Sequence, residues 1–527
     1  MSNSTTTGSH AGSPGHTGPL PAHVDVLVVG AGFAGLATAI GLDEDGRDFL
    51  VVDKGDSVGG TWRDNTYPGA ACDVPSQLYS FSFAPNNWSR SFSAQPEIKA
   101  YLDGVAERSG VLDRFRFATT VDHAEWDASV ARWKVRTSAG ELTADVLVSG
   151  AGGLSEPKLP DIEGIDAFGG EIFHSARWNH DVDLAGKRIA VIGTGASAIQ
   201  IVPELQKVAG HLDVYQRTAP WVMPRHDRTY PAFERLALRT VPGLQKLYRT
   251  AIYWGRETYV PAFTVAPDIA KPAELLAKAN IRKAIDDPEL RRKVTPDFKF
   301  GCKRVLISNA YYPALAADNT ELVTDRIARI TPTGVVTADG TEREIDVLVV
   351  ATGFHTTDQP IAHHIVGREG RTLADTWAES GMQAYRGTTI AGFPNLFQVV
   401  GPNTGLGHSS MVFIIESQVA YIRDALRVMA HNSYAAIEPR PDAQAEWNHS
   451  LHKRMGRTVW STGGCASWYL DEHGRNTTLW PRSTFNFRLG LSRFDTRAYR
   501  VTGPVPEPTT PSGPTPGTPT EREVVPA

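Results

Sequence analysis

The sequence predicts an α/β fold with two Rossmann-like dinucleotide-binding domains and an inserted helical segment in the second. Three observations carry this. A strand, glycine turn and helix begin at Val24, the same arrangement begins again at Arg188, and matching strands close the two modules at Asp145–Gly152 and Asp346–Gly353. The 527 residues suffice for roughly three to four domain-sized units with a large core. With 53 basic against 58 acidic residues and a net charge of -5, the chain has no electrostatic footprint for nucleic acid or an anionic membrane. Hydrophobic residues at 41% and charged ones at 21% describe an ordinary globular protein rather than a disordered or membrane chain.

Residues 1–22 hold little that could be buried and read as a disordered N-terminal tail. No Lys or Arg precedes Arg47, so the charged start of a secretory signal is missing. The apolar run from Val24 to Leu42 could suggest a membrane span, but Asp25 and four glycines interrupt it, and a strand, tight turn and helix explain it better. In the first module, spanning residues 23–155, the strand Val24–Val29 runs into Gly30-Ala-Gly32-Phe33-Ala-Gly35. Such glycines permit a tight turn and close approach of the backbone to a pyrophosphate resting on the helix N-terminus. The next strand ends at Asp53, 23 residues after Gly30, where a carboxylate is expected to grip a ribose hydroxyl pair.

The second module opens after 156, with Arg188–Ile192 leading into Gly193-Thr194-Gly195-Ala-Ser197-Ala198. Its second strand ends in Arg217 in place of an acid, 24 residues after Gly193. An arginine there can pair with a ribose 2′-phosphate, so the first turn suits FAD and the second NADPH; the plainer reading of Arg217 is a solvated surface arginine. The openings lie 163 residues apart and the closings 201, so the second module is the longer. Leu, Ala, Lys and Arg at helical spacing place the insertion at 229–297, between module segments 156–228 and 298–353. After Phe354 both nucleotide folds are complete, and residues 354–502 are expected to return to the first module. Residues 503–527, rich in Pro and Thr, read as a disordered, solvated tail.

Two dinucleotides on one chain imply hydride transfer from nicotinamide to flavin. The cysteines, Cys72, Cys302 and Cys465, are odd in number and far apart, which predicts neither a disulfide framework nor a thiolate zinc site and points to a reducing, cytoplasmic compartment. They also count against a disulfide reductase, leaving oxygen, a quinone or a partner protein as the electron acceptor. Oligomeric state and the identity of any substrate are silent at this level.

The segment Phe168-Gly-Gly170-Glu-Ile-Phe-His174-Ser-Ala-Arg-Trp178-Asn179 resembles the linker signature of the Baeyer–Villiger monooxygenases, departing from it only at Asn179. Trp178 stands where the related heteroatom-oxidising flavin monooxygenases usually carry Tyr or Phe. Gly59-Gly60-Thr61-Trp62, Tyr67-Pro68-Gly69 with Asp73, Lys303-Arg304 and Ala351-Thr352-Gly353-Phe354 match further family patterns, and the likeness spans residues 23 to 500. The resemblance implies an NADPH- and oxygen-dependent flavin monooxygenase that turns ketones into esters or lactones through a flavin peroxide and a tetrahedral intermediate. Sulfides could be further substrates. A heteroatom oxygenase and an NADPH oxidase or redox sensor stand as alternatives.

For the site, the resemblance implies Arg304 as the cation that stabilises the developing oxyanion, because a guanidinium stays charged throughout, with Asp73 orienting it. It places FAD among Gly30, Gly32, Phe33, Gly35, Asp53, Lys54, Thr61, Trp62, Cys72, Asp73, Tyr79 and Val121. NADPH falls among Gly193, Thr194, Gly195, Ser197, Ala198, Arg217, Thr218, Lys303 and Trp468, the last on a mobile loop. Met411, at the start of a helix expected over 409–429, falls where the family lines its substrate pocket, although core filling suits it nearly as well. His174 and Trp178 are placed to couple cofactor binding to domain rotation, and equally read as a buried histidine and an aromatic filling an interdomain gap. No metal-ligand cluster surrounds His174. The turn Asp471–Asn476 departs from the cyclohexanone-type pattern, which counts against a cyclic-ketone preference and leaves linear and aryl ketones open without selecting among them; His473 within it reads as an exposed loop residue.

Overall fold

The structure, a computed structural model, describes residues 18–504. Strands His23–Val29 (β1), Phe49–Val52 (β2) and Phe115–Arg116 (β3) run parallel, with β1 flanked on its other side by Gly140–Ser149 (β6). A meander of Val121–Asp127 (β4), Arg132–Thr137 (β5) and β6 extends the same sheet antiparallel. The second sheet is parallel throughout, ordered Thr320–Val323, His211–Tyr215 (β9), Arg188–Ile192 (β8), Val347–Val350 and Glu171–His174 (β7). Phe-Leu-Val-Val in β2 and Val-Leu-Val-Val at 347–350 are buried at every residue, as strands covered on both faces require.

The helix Phe33–Glu44 is buried from Phe33 through Leu42, on all sides rather than along one stripe. The cause is its setting between the first sheet and the long helix Met411–Asn432. Beyond Phe354 the chain returns to the first sheet: Ile365–Val366 pairs with β4 and Leu396–Gln398 with β6. Arg423 of the long helix closes the return by binding both carboxylate oxygens of Asp45 at 2.8 Å, just past the end of Phe33–Glu44. Between β9 and Thr320 lie the helices Ala232–Thr240, Leu244–Glu257, Val260–Thr264, Lys271–Ala284 and Pro288–Val294.

Two expectations are corrected. Ordered contacts begin before residue 23: the Gly18 carbonyl accepts from Arg116, the Ala22 carbonyl accepts from the Thr143 amide at 3.0 Å, and Leu20 packs against a core cluster. The rest of the expected N-terminal tail, and the C-terminal one from 505, lie outside the described residues. The cysteines are not all unpaired either, since Cys302 and Cys465 form a disulfide across 163 residues, with Cα atoms 6.1 Å apart, and Cys72 alone is free. Sequence distance concealed the pairing. The segment before Lys303 packs on the turn after helix Val459–Thr462, where the Lys299 amide donates to the Gly463 carbonyl at 3.0 Å. The inference of a reducing compartment therefore loses its footing. Among the described residues no helix is long and apolar enough to cross a membrane.

Candidate active site

The first glycine turn is shaped for a pyrophosphate. A Cβ on Gly35 would overlap the Gly30 carbonyl, so helix and turn can approach this closely only with glycine there. No side chain caps the following helix and no acid stands in its first turn, which leaves its amide donors free for an anion. Asp53 has a second task that its spacing does not disclose. Its Oδ2 accepts from the Ala31 amide at 2.6 Å and its Oδ1 from the Gly55 amide at 2.7 Å and Arg63 at 2.8 Å, so the carboxylate braces the turn. Lys54 is paired with Glu156 at the surface. Val121 opens β4 two residues after Thr119, whose amide donates to the Asp53 carbonyl at 2.8 Å.

Next to the turn, Phe33 and Trp62 meet Tyr79 edge-on, with ring centroids 5.1 and 5.7 Å away, and Trp62 Nε1 donates to the Tyr79 hydroxyl at 2.9 Å. Thr61 starts the short helix that carries Trp62, on its exposed side. Burial pushes the Cys72 thiol and Tyr79 phenol well up, so both are neutral. Between them and the second module lies Asp73. Arg304 donates Nε to its Oδ2 at 2.9 Å and Nη2 to its Oδ1 at 2.7 Å, and turns Nη1 to the Leu406 carbonyl at 3.4 Å. Burial acts to raise Asp73, but the Arg304 charge and hydrogen bonds outweigh it and hold the carboxyl below its ordinary value. The Asp73 charge in turn raises Arg304, which stays protonated. The two side chains keep 25% and 29% of their surface accessible although they sit deep in the protein, as groups lining a cleft do.

The second turn repeats the design. Gly193 adopts φ +123° and a Cβ there would run into the Ala351 carbonyl, whereas Gly195 has open space in front of it. Thr194 donates to the Thr218 carbonyl at 3.0 Å, Ser197 leaves the next helix without a side-chain cap, and Ala198 is buried at its start. Arg217 is exposed just past β9. Lys303 lies over Phe298 at 5.1 Å, and burial followed by the Arg217 charge lowers its pKa. Two converging cations of this kind suit a phosphate.

Trp468 is 46% exposed on a loop whose carbonyl accepts from Thr356 at 3.2 Å. Its neighbour Tyr469 turns inward, where burial pushes the phenol up to about 12 in the field of Arg304 and Asp73. Met411 begins the 22-residue helix, partly buried against the main core, with Ser410 accepting from the Val412 amide at 3.2 Å. His473 is exposed in the turn that Asp471 ties to Arg475 at 2.7 Å.

The linker signature is built into the second sheet. Phe168 packs on its outer cluster, Gly170 sits where a Cβ would strike the Asp346 carbonyl, and Trp178 meets Phe173 at 4.9 Å within the module's core. His174 ends β7, 4% exposed, beside Phe354. Its Nδ1 accepts from the Ala176 amide at 3.1 Å, which fixes the neutral ring with its proton on Nε2. Several site residues carry no motif. Gln200, on the second module's first helix, accepts from the Tyr67 hydroxyl at 3.0 Å and donates to the Ala71 carbonyl at 3.0 Å. Gly69 lies against that helix so closely that a Cβ would come within 2.7 Å of the Gln200 carbonyl. Arg256, from the inserted helices, donates to the Asp73 carbonyl at 3.2 Å.

Two dinucleotide turns flanking a charged arginine–aspartate pair suit a flavoprotein that takes its hydride from a nicotinamide coenzyme. A family model for flavin-binding monooxygenase-like proteins matches residues 23–254. The chain is 53% identical over 488 residues to a Baeyer-Villiger monooxygenase of Streptomyces coelicolor, covering 92% of this chain and 94% of that one. It is 49% identical to one of Pseudomonas aeruginosa, covering 92% and 93%. Among solved structures it resembles a steroid monooxygenase bound to NADP, with TM-score 0.81 and 33% identity over 91% of this chain and 100% of that one. Cyclohexanone monooxygenase from Rhodococcus sp. Phi1 bound to NADP+ matches with TM-score 0.81 and 31% identity over 92% and 100%. The chain belongs to the Baeyer–Villiger monooxygenases. It is an FAD- and NADPH-dependent enzyme of ketone oxygenation.

Burial lowers His174 from 6.5 to about 4. Unfolding between those values takes up a proton, so the stability of the neutral ring is complete above pH 6.5 and is lost as the pH falls towards 4, by at most about 3 kcal/mol. Thermal melts of the holoenzyme from pH 8 to 4 should show His174→Asn losing less stability than wild type across that window; parallel curves would refute the assignment. For the cation pair, Lys303→Met should raise the KM for NADPH on the order of tenfold and leave that for NADH nearly unchanged. Equal effects on both coenzymes would remove Lys303 from the 2′-phosphate.

Proposed function

We propose that Arg304, oriented by Asp73, is the catalytic cation for oxygen insertion beside a ketone carbonyl, and that the preferred ketones are open-chain or aryl. The reaction consumes one ketone, one dioxygen, one NADPH and one proton, and yields an ester, water and NADP+. FAD, held at the first glycine turn, supplies hydride acceptance and dioxygen activation when bound. This chain's own residues supply the rest. Asp73 occupies Nε and one hydrogen of Nη2 of Arg304 and fixes the plane of the guanidinium; with Nη1 turned to the Leu406 carbonyl at 3.4 Å, one hydrogen on each of Nη1 and Nη2 is left for substrate and oxygen. A fixed cation in a cleft from which protein excludes water stabilises negative charge on oxygen without reorganising. The Arg304 charge holds Asp73 below its ordinary value and the Asp73 charge raises Arg304, so the pair is ionised and neither is suited to shuttle a proton.

The observation that carries this reading is the two-point Arg304–Asp73 bond between the modules. Arg304→Ala should leave stopped-flow reduction of the flavin by NADPH within about twofold of wild type while ester formation falls by 10²-fold or more, the range seen for loss of an oxyanion donor. Near-normal ester yield would discard the role.

The substrate preference rests on the turn after Tyr469, closed by Asp471 accepting from the Arg475 amide at 2.8 Å, which departs from the cyclohexanone-type pattern beside the loop expected to cover the site. With NADPH and a panel of linear, aryl and cyclic ketones, mass analysis should find the highest kcat/KM among the first two classes. A clear preference for cyclohexanone would overturn that part and leave the role of Arg304 standing.

A further inference from the structure

We propose that Arg256 is a second functional cation of the oxygenation site, giving the cleft the net positive charge that the Arg304–Asp73 pair alone does not have. The proposal deepens the role assigned to Arg304 and rests on it. Arg304 and Asp73 neutralise one another through two hydrogen bonds, so the pair presents a directed donor but no net charge. Arg256 arrives from the end of helix Leu244–Glu257 and places Nη2 on the backbone carbonyl of Asp73 at 3.2 Å, next to that pair. It forms no ion pair with any described residue, and its buried Nε has no hydrogen-bond partner.

The groups facing it are the Asp73 carboxylate, whose charge favours the protonated guanidinium but is already bonded to Arg304, and Tyr259, Arg304 and Cys72, with Tyr259 beneath its guanidinium at 5.9 Å. The neighbouring acid in sequence does not compensate it. Glu257 points the other way, accepting from His408 Nε2 at 3.1 Å and from the Thr484 amide and hydroxyl at 3.0 and 2.6 Å. That bond set also fixes the end of the helix to the C-terminal part of the chain, and so fixes Arg256 at the cleft.

A buried guanidinium with no carboxylate bonded to it is costly, and burial lowers the pKa of Arg256 against the opposing Asp73 charge. A chain selected for stability alone would place an apolar side chain here. The same unbalanced charge is what a site needs when its reaction builds an anion on oxygen, because attraction in a water-poor cleft is far stronger than in solvent.

The test compares wild-type holoenzyme with Arg256→Met, which keeps an unbranched apolar stem and loses the charge, and Arg256→Lys, which keeps the charge. Three quantities are read: affinity of the oxidised holoenzyme for azide, a small linear anion, followed by flavin absorbance; ester turnover; and the thermal midpoint. Arg256→Met should weaken azide binding and slow ester formation, each by on the order of tenfold or more, with a thermal midpoint equal to or above that of wild type. Arg256→Lys should recover most of both losses. The proposal fails if Arg256→Met keeps azide affinity and ester turnover within twofold. It fails equally if the variant lowers the thermal midpoint and Arg256→Lys restores stability without restoring azide binding, which marks a packing residue. Failure here with Arg304→Ala still abolishing ester formation removes Arg256 only, whereas intact ester formation in Arg304→Ala removes the reading beneath it.

Discussion

The bond between Arg304 and Asp73 joins residues 231 positions apart, one from each nucleotide module, and the rest of the site is arranged around it. Neither partner can be moved without the other. Asp73 sits at the end of the Tyr67–Gly69 segment, which follows the helix bearing Trp62, whereas Arg304 follows Lys303, one of the two cations at the second turn. The guanidinium at the oxygenation site and the cation at the second turn are therefore adjacent residues of one segment.

Docking between the modules is polar and specific. Gln200 uses both ends of its amide to bind the Tyr67–Ala71 segment, and Gly69 lets that segment lie flat against the helix that bears Gln200. Hydrogen bonds of this kind contribute little net stability each but fix orientation, because breaking one leaves buried groups unsatisfied. The Cys302–Cys465 bridge adds a covalent tie close to Arg304, binding the segment that carries it to the segment that leads to Trp468. The cleft is thus bounded by parts of the chain that are far apart in sequence and held at few points.

What could be read from the sequence was local. Glycine turns, strand ends and the spacing to Asp53 and Arg217 are short-range patterns, and the first residue of the long helix, Met411, follows a Ser that caps it. The linker motif gave Trp178 and His174 and the expected bounds put them in the second module, but only the sheet order shows that β7 forms the edge strand of that module's sheet. Gln200, Arg63, Arg256 and the cysteine pair were illegible for a common reason. Each acts through a partner brought near by tertiary folding, and no periodicity or spacing encodes that meeting. Even Asp53, found by its spacing, hid its bonds to Ala31 and Arg63.

The charges around Asp73 show why such residues escape pattern reading and still matter. An exposed arginine is held by water and contributes little wherever it stands. A buried one must be paired or else persist for another reason, and the cleft contains one of each kind, Arg304 bound to Asp73 and Arg256 bound only to a carbonyl. The paired cation supplies direction, because two hydrogen bonds fix its plane. The cation without an ion pair supplies field, because Asp73, the one carboxylate acting on it, is already bonded to Arg304. A site that must hold an oxygen anion and then release a neutral ester gains from keeping the two tasks on separate side chains. Direction can then be set by the ground-state fold, while the full attraction appears only when negative charge has formed.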